Sequence, residues 1–305
     1  MINGAHVFRP ETLLAFVRVS ELNSFTKAAE SLHLPKASMS TAIKQLESQL
    51  GTQLVHRTTR LVQLTADGEL FYERCKALLS EVAELETLFI KDPAEVSGRL
   101  RIDMPLSTAR NIVIPNLPAF ISRHPKIQLE ISSTDREVDI IREGFDCVIR
   151  ASRLEDSTLI ARPLGGFTQV NCISADYAQR MGVPLCLDDL QNHYVVHYDR
   201  NFHATNASFD YVINGQEVSQ PMQHRVTVNN SDAYQAACLA GLGIAQMPTT
   251  CIKELIEQGE IITVLPNYQA APIPLHLMYP NKKNLPLRVR LFMDWVTALL
   301  KPYLL

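Results

Sequence analysis

The chain has no uninterrupted apolar run of membrane-spanning length, so a transmembrane helix and a membrane partner are not expected. Its first residues, Met1-Ile2-Asn3-Gly4-Ala5-His6, contain no basic segment leading into an apolar one. No secretory signal is therefore expected, and the cytoplasm is the expected compartment. Cysteine is present but unpaired in pattern: Cys75, Cys147, Cys172, Cys186, Cys238 and Cys251 include no CxxC and no zinc-like spacing. Reduced thiols and no metal site follow as expectations. Also missing are HExxH, GxSxG and a phosphate-cradling GxGxxG; Gly241-Leu242-Gly243 precedes a β-like run instead of opening a helix, which suits a turn. Serine, histidine and aspartate occur without the arrangement of a triad. These absences argue against an enzyme and against a bound cofactor. No internal repeat or low-complexity stretch is found.

What is present reads as a globular protein. A length of 305 residues allows two domains, and 46% hydrophobic with 20% charged residues is ordinary for one. The net charge of −3 hides a local asymmetry. Between residues 33 and 64 the cations Lys36, Lys44, Arg57 and Arg60 face Glu47 alone, whereas the helical stretch 67–92 is acidic. A localised basic surface is implied.

The spacing predicts a helix over 10–19 opened by Pro10, with Leu13, Phe16, Val17 and Ser20 on one face. Ser24 suits the cap of a second helix reaching residue 32, with Phe25, Ala28, Ala29 and Leu32 inward. His33-Leu34-Pro35 breaks the pattern, and a third helix follows to about Leu50 with Met39, Ile43, Leu46 and Leu50 as its buried stripe. Gly51 stops it. Extended runs at 53–57 and 61–64, joined by Thr58-Thr59-Arg60, predict a hairpin. A long helix capped by Thr65 then reaches about residue 91, carrying Phe71, Cys75, Leu78, Val82, Leu85 and Phe89 at four- and three-residue steps. That seam either pairs with another chain or packs on its own domain.

Three helices, a sharp turn and a basic hairpin are the layout of a winged helix-turn-helix. Lys36, Ser38, Ser40, Thr41 and Lys44 lie at the start of the third helix or away from its apolar stripe, where a major groove would meet them. Serine and threonine can bond base edges or phosphates, and lysines release counterions. Arg57 and Arg60 of the wing would meet phosphates or a narrow minor groove. His56, on the same wing, reads as structural. Double-stranded promoter DNA is the partner this pattern suits.

Residues 92–98 look like a hinge, and from Arg99 short β-like runs alternate with helices. Runs at 100–104, 127–132 and 147–149, with helical candidates at 107–123 and 137–142, predict a parallel sheet flanked by helices. Further runs fall at 170–173, 195–198, 226–228, 243–247 and 275–279, and a terminal helix at 287–300.

Phe16-Val17, Ser24-Phe25-Thr26-Lys27-Ala28-Ala29, Leu32, Ser40, Ile43, Leu46-Glu47, Leu50-Gly51, Leu54, Arg57-Thr58-Thr59-Arg60, Leu64-Thr65 and Gly68 resemble, in register, the signature of LysR-type transcriptional regulators. Leu34-Pro35-Lys36-Ala37-Ser38-Met39-Ser40 is similar to the CrgA-like group within that family. The likeness continues through Gly98–Ile102, Arg142–Asp146 and Gly241–Ala245. At Thr41 and Ala42 the sequence departs from members that carry arginine and glutamine there. That removes a bidentate guanine contact and leaves part of an operator to be read by shape.

The resemblance implies an α/β protein in three parts: a winged helix-turn-helix over 1–66, a linker and dimerisation helix over 67–92, and an effector-binding domain over 93–305. The last would be periplasmic-binding-protein-like, with subdomain I at about 99–166 and 270–305 and subdomain II at about 167–269. It implies a dimer through Phe71, Leu78, Val82, Leu85 and Phe89, commonly assembled into a tetramer. It also implies a small-molecule effector in the cleft, for which an organic or aromatic acid suits helix N-termini. Candidate contacts are Ser107 and Thr108 (contact or cap), Thr134, Arg150 (carboxylate clamp or partner of a neighbouring acid at the surface), Ser152, His197 (cleft or core), and Asn230 with Ser231 (cap or contact); Gln246 is a weaker one. The alternative is a solute-binding-type sensor without direct DNA contact, against which the wing argues; an enzyme on the same scaffold lacks a catalytic set.

Overall fold

Pro10 occupies the first turn of α1 (Pro10–Leu22), where its missing N–H has no partner to lose, and Asn23 ends the helix with φ 48°. In this computed structural model the chain is described over residues 8–57, 62–87, 92–152, 159–204, 206–280 and 285–305. The Ser24 hydroxyl accepts the Lys27 N–H and caps α2 (Phe25–Ser31). After Pro35, α3 (Lys36–Leu50) runs to Gly51, whose φ of 71° is the left-handed conformation that ends a helix at little cost. Leu13, Phe16 and Val17 of α1, Ala28 and Ala29 of α2, and Met39, Ile43 and Leu46 of α3 share one core. Leu50 was expected to extend that stripe, yet it is 36% exposed because the last turn of α3 lies beyond the packed layer.

A short hairpin, β1 (Val55–Arg57) and β2 (Val62–Leu64), pairs Val55 with Leu64 in antiparallel register. Its connection, including Arg60, lies outside the described residues. Thr65 ties the hairpin to α4 (Ala66–Thr87): its hydroxyl donates to the Gln53 carbonyl and accepts the Gly68 N–H. This head and helix form one compact unit, Met1–Ile90, and Lys91–Leu305 form a second.

The second unit starts after a 3-10 turn at Pro93–Glu95 and has two lobes. Lobe I receives β3 (Gly98–Met104), α5 (Leu106–Thr108), a π turn at Ala109–Val113, α6 (Ile114–Arg123), β4 (Ile127–Ser133), β5 (Cys147–Ala151) and β6 (Ile160–Phe167). Across Thr168 the chain passes into lobe II: β7 (Gln169–Ser174), α7 (Ala175–Met181), β8 (Tyr194–Tyr198), β9 (Ala207–Ile213), β10 (Gln216–Val228), α8 (Ser231–Leu239), β11 (Ala245–Pro248), α9 (Thr249–Glu257) and β12 (Ile261–Thr263). It returns to lobe I as β13 (Ile273–Tyr279) and α10 (Leu287–Leu300).

The lobe I sheet is ordered β4-β3-β5-β13-β6. Lobe II holds β11-β7-β12 and β8-β10-β9, joined where Val195 bridges Ile244. The expected parallel sheet is corrected to a mixed one: β3 runs parallel to β4 and β5, but β13 returns antiparallel between β5 and β6. A strand that comes back from the other lobe enters from the opposite end, and local spacing does not record that. The helix expected at 137–142 is a turn, since the Asp139 carboxylate accepts the N–H groups of Ile141 and Arg142 and competes with helical bonding. The β9–β10 hairpin was not anticipated, although Asn214-Gly215, with φ 52° and 75°, carries the two-residue turn signal that could have disclosed it.

Candidate functional site

The first candidate surface is α3 and its wing. Burial of Met39, Ile43 and Leu46 turns the opposite side of the helix outward. Lys36, Ser38, Thr41 and Lys44 are exposed there, and Ser40 is half-buried beside the stripe. No side chain caps the α3 N-terminus, whose residues are exposed and carry the partial positive charge of a helix start, although the Ser38 N–H is taken by the Pro35 carbonyl. The Thr41 hydroxyl donates to the Ala37 carbonyl at 2.9 Å, which leaves its lone pairs and methyl for an outside partner. Glu47 is held inward: one carboxylate oxygen accepts the N–H groups of Leu54 and Val55 at 3.0 and 3.3 Å and locks the wing to α3. Gly68 serves the same joint, because a Cβ there would overlap the Leu54 carbonyl. The backbone of Arg57 lies in β1, paired with Val62, and His56 is exposed beside it, so the structural reading of His56 finds no burial to support it.

The α4 seam divides. Phe71 was expected at a dimer face, but its ring sits 5.9 Å from Phe8 and 5.4 Å from Phe16, and Cys75 is 2% exposed in the same core. The first turns of α4 lie on the three-helix layer, and that layer takes up their apolar residues. Leu78 is 46% exposed and Val82 half-buried, so that layer does not take up Leu78 as it does Phe71 and Cys75. The side chain of Leu85 and all of Phe89 fall outside the described residues.

The second candidate site is a cavity of about 270 Å³ between the two lobes. It lies at strand ends and helix starts, where ligands of α/β folds bind. Ser107, Thr108, Thr134, Arg150, His197, Ser231 and Gln246 all line it. Ser152 and Asn230 do not: Ser152 is half-buried just past the end of β5, and the Asn230 side chain accepts the Ala233 N–H as the cap of α8.

Arg150 is the most constrained of these groups. It is 8% exposed, and its Nη1 donates to Asp103 Oδ1 at 2.6 Å and to the Ile149 carbonyl. Asp103 is fully buried, and Thr134 reaches both of its oxygens at 3.2 and 3.3 Å. The arginine does pair with an acid, but in the interior and not at the surface; its Nη2 is buried without a partner among the described residues, and the residue lines the cavity. Ser231 Oγ is likewise buried without a partner. Buried polar atoms of this kind are rare in folded proteins and ask for an occupant.

Asp135, Tyr198, Arg200 and Asp210 also line the cavity, and none of them was singled out in the sequence. Asp135 follows β4 in lobe I, yet its two oxygens accept the Leu106 N–H at 3.1 Å and the Ser231 N–H of lobe II at 2.6 Å. Burial, with Asp135 alongside, pushes the Tyr198 hydroxyl up to about 12, which keeps it protonated as a donor. Phe167, Val196, Tyr234, Met247 and Ile273 supply apolar wall.

Burial raises the thiol of Cys75 to about 11 and raises those of Cys147 and Cys251; a hydrogen bond with Cys238, then burial, does the same for Cys172. Protonated, buried thiols are poor nucleophiles, which speaks against redox sensing at Cys75, Cys147 and Cys172. No metal-holding cluster of histidine, cysteine and carboxylate exists among the described residues. No helix among them is long and apolar enough to cross a membrane.

Comparison with known proteins covers both units. Residues 10–69 match the bacterial regulatory helix-turn-helix of the lysR family, and residues 93–301 match the LysR substrate binding domain. The chain is 46% identical to the HTH-type transcriptional regulator YhjC of Escherichia coli, over 95% of this chain and 97% of that protein. It is 32% identical to an HTH-type transcriptional repressor of Pseudomonas aeruginosa, over 94% and 90%. The solved structure of CrgA, a LysR-type regulator from Neisseria meningitidis, superposes with a TM-score of 0.61 at 27% identity, covering 94% of this chain and 97% of that one. A helix-turn-helix head and a two-lobed ligand-binding unit in one chain are what these matches share: this protein belongs to the LysR family of transcriptional regulators.

Proposed function

We infer that this regulator binds promoter DNA as a homodimer, or a dimer of dimers, and that a small organic or aromatic acid held between the lobes controls that binding. The observation that carries the effector reading is that two residues lining one cavity, Arg150 and Ser231, each hold a buried atom, Nη2 and Oγ, without a partner among the described residues. Both can donate to a carboxylate, and a charged acceptor strengthens such bonds. The size of the cavity and its walls of Phe167, Val196, Tyr234 and Ile273 suit a compact acid with an apolar body.

On the DNA side, Lys36, Ser38, Ser40, Thr41 and Lys44 would enter the major groove, with Arg57 and Arg60 on flanking phosphates. Leu78 and Val82 would join two heads at the spacing of two half-sites. The acid would shift the balance between lobe arrangements, and so the bend imposed on the promoter. The protein would act in the cytoplasm, where its DNA is.

A gel-shift titration on the DNA upstream of its own gene, with and without a panel of monocarboxylates, tests the reading. Retarded complexes that change in affinity or mobility with one acid support it. Absence of any sequence-preferring complex would favour a sensor without direct DNA contact. Arg57→Ala should weaken binding to all sequences and lower the slope of log affinity against log salt by about 1; a loss confined to one base position would contradict a phosphate role.

A further inference from the structure

The N-terminus of α8, a natural seat for an anion, is already taken by a carboxylate of the protein itself. Asp135 Oδ2 accepts the Ser231 N–H at 2.6 Å while Oδ1 accepts the Leu106 N–H. One aspartate thereby hydrogen-bonds a helix start in each lobe. Other contacts among the described residues also cross the cleft: Arg110 with Asp232 at 3.2 Å, Asn111 with the Thr250 carbonyl at 3.3 Å, and Arg200 Nη2 with the Ala151 carbonyl. The Arg110 pair is exposed on both sides and so contributes little. Asp135 is half-buried and lines the cavity, and its segment up to Asp139 is irregular, free of strand pairing that would resist a swing.

A second acid cannot simply be added beside it. Arg150 has its charge met by Asp103, so it offers an incoming anion a hydrogen bond but little net attraction. Asp135 and Asp210 both face the same small space, against Arg200, whose Nη2 is held by the Ala151 carbonyl. Two carboxylates at one helix start repel each other. Resting on the acid-effector reading above, we propose that the effector is a small monocarboxylate that binds by exchange, its carboxylate replacing that of Asp135 at the N-terminus of α8. The exchange leaves one anion at the helix start. It provides an acceptor for Arg150 Nη2 and for Ser231 Oγ, which Asp135 leaves unpartnered. It also removes the Asp135 bond between lobes, so recognition and lobe rearrangement are one event.

Asp135 thus acts as an internal competitor that sets the effector class. A dianion brings a second charge toward Asp210, and a neutral isostere cannot take over the charge-assisted bond at Ser231. The test uses the full chain, wild type and Asp135→Ala, with benzoate and its neutral counterpart benzamide as probes. Calorimetry should find benzoate bound at least about tenfold more tightly by the variant, because its competitor is gone, with benzamide unchanged between the two proteins. Amide hydrogen exchange supplies a second reading: without ligand, Leu106 and Ser231 both exchange faster in the variant, and benzoate restores Ser231 alone. Asp135→Asn, which keeps one oxygen acceptor, should fall between and covers the case in which the alanine variant folds poorly. If wild type binds benzoate and Asp135→Ala binds it no more tightly, the acid reading stands and the exchange is wrong. If neither protein binds benzoate, the acid reading falls and the exchange falls with it.

Discussion

Removing Asp103 should unfold the ligand-binding unit far more readily than removing an average core side chain. Asp103 is 0% exposed and Arg150 8%, their contact is 2.6 Å, and the rest of the shell is the Thr134 hydroxyl and one carbonyl. In Asp103→Ala the guanidinium stays buried, with its Nη2 already unpartnered and its Nη1 left on the Ile149 carbonyl. Breaking a buried pair from one side costs about 3–5 kcal/mol, since an uncompensated charge remains inside. For a unit of this size that is a fall in Tm of roughly 6–20 °C. Asp103→Leu with Arg150→Met removes both charges and should be neutral or stabilising by about 1–4 kcal/mol relative to wild type, while abolishing acid binding. The chain carries its own reporter: its single tryptophan, Trp295, packs 5.1 Å from Phe120 and 5.5 Å from Phe292 in this unit, so fluorescence in a urea titration follows this unit and not the head. A loss below about 1 kcal/mol in Asp103→Ala, or a double variant less stable than either single one, would refute the claim that Arg150 is held by a buried charge balance.

Replacing Leu78 and Val82 together with glutamate should convert the protein to monomers by light scattering and remove tight operator binding; a dimer that survives would place the interface elsewhere. Gly68→Ala should destabilise the DNA-binding head by about 1–3 kcal/mol and leave the Trp295 transition unchanged, because the added methyl overlaps the Leu54 carbonyl between wing and α4. His193 is buried against Tyr177, and burial holds its pKa below the usual 6.5, with Asp189 opposing. The unfolded chain therefore binds the proton more readily, so the stability His193 contributes is full above pH 6.5 and is lost as the pH falls below that value. His193→Gln should remove that part of the acid sensitivity; an unchanged slope of stability against pH would show that other groups carry it.

The head was largely legible in the sequence because its signals are local. Helical spacing of Met39, Ile43 and Leu46 named the buried side of α3, and that side determined which polar residues face out. Ser24, Gly51 and Thr65 stand at caps and stops for reasons contained within a few residues. The same local logic failed at Phe71, where helical periodicity could not say which neighbour receives an apolar stripe. In the second unit the sequence pointed to polar residues after strands, and several of them meet at the cavity. It could not assign Asp135, because an aspartate after a strand has no local mark of the helix it will cap 96 residues later.

By itself, then, the sequence determined the elements of the head, the basic character of its outer face, and the alternation of strands and helices beyond the hinge. Those follow from short-range sterics, capping and periodicity. Only the tertiary structure decided that β13 returns antiparallel, that Arg150 answers to Asp103, and that Asp135 fills the helix start where an acid was expected. Each of these joins residues distant in the chain, and such pairings are settled by which buried charges and N–H groups find partners once the lobes have packed.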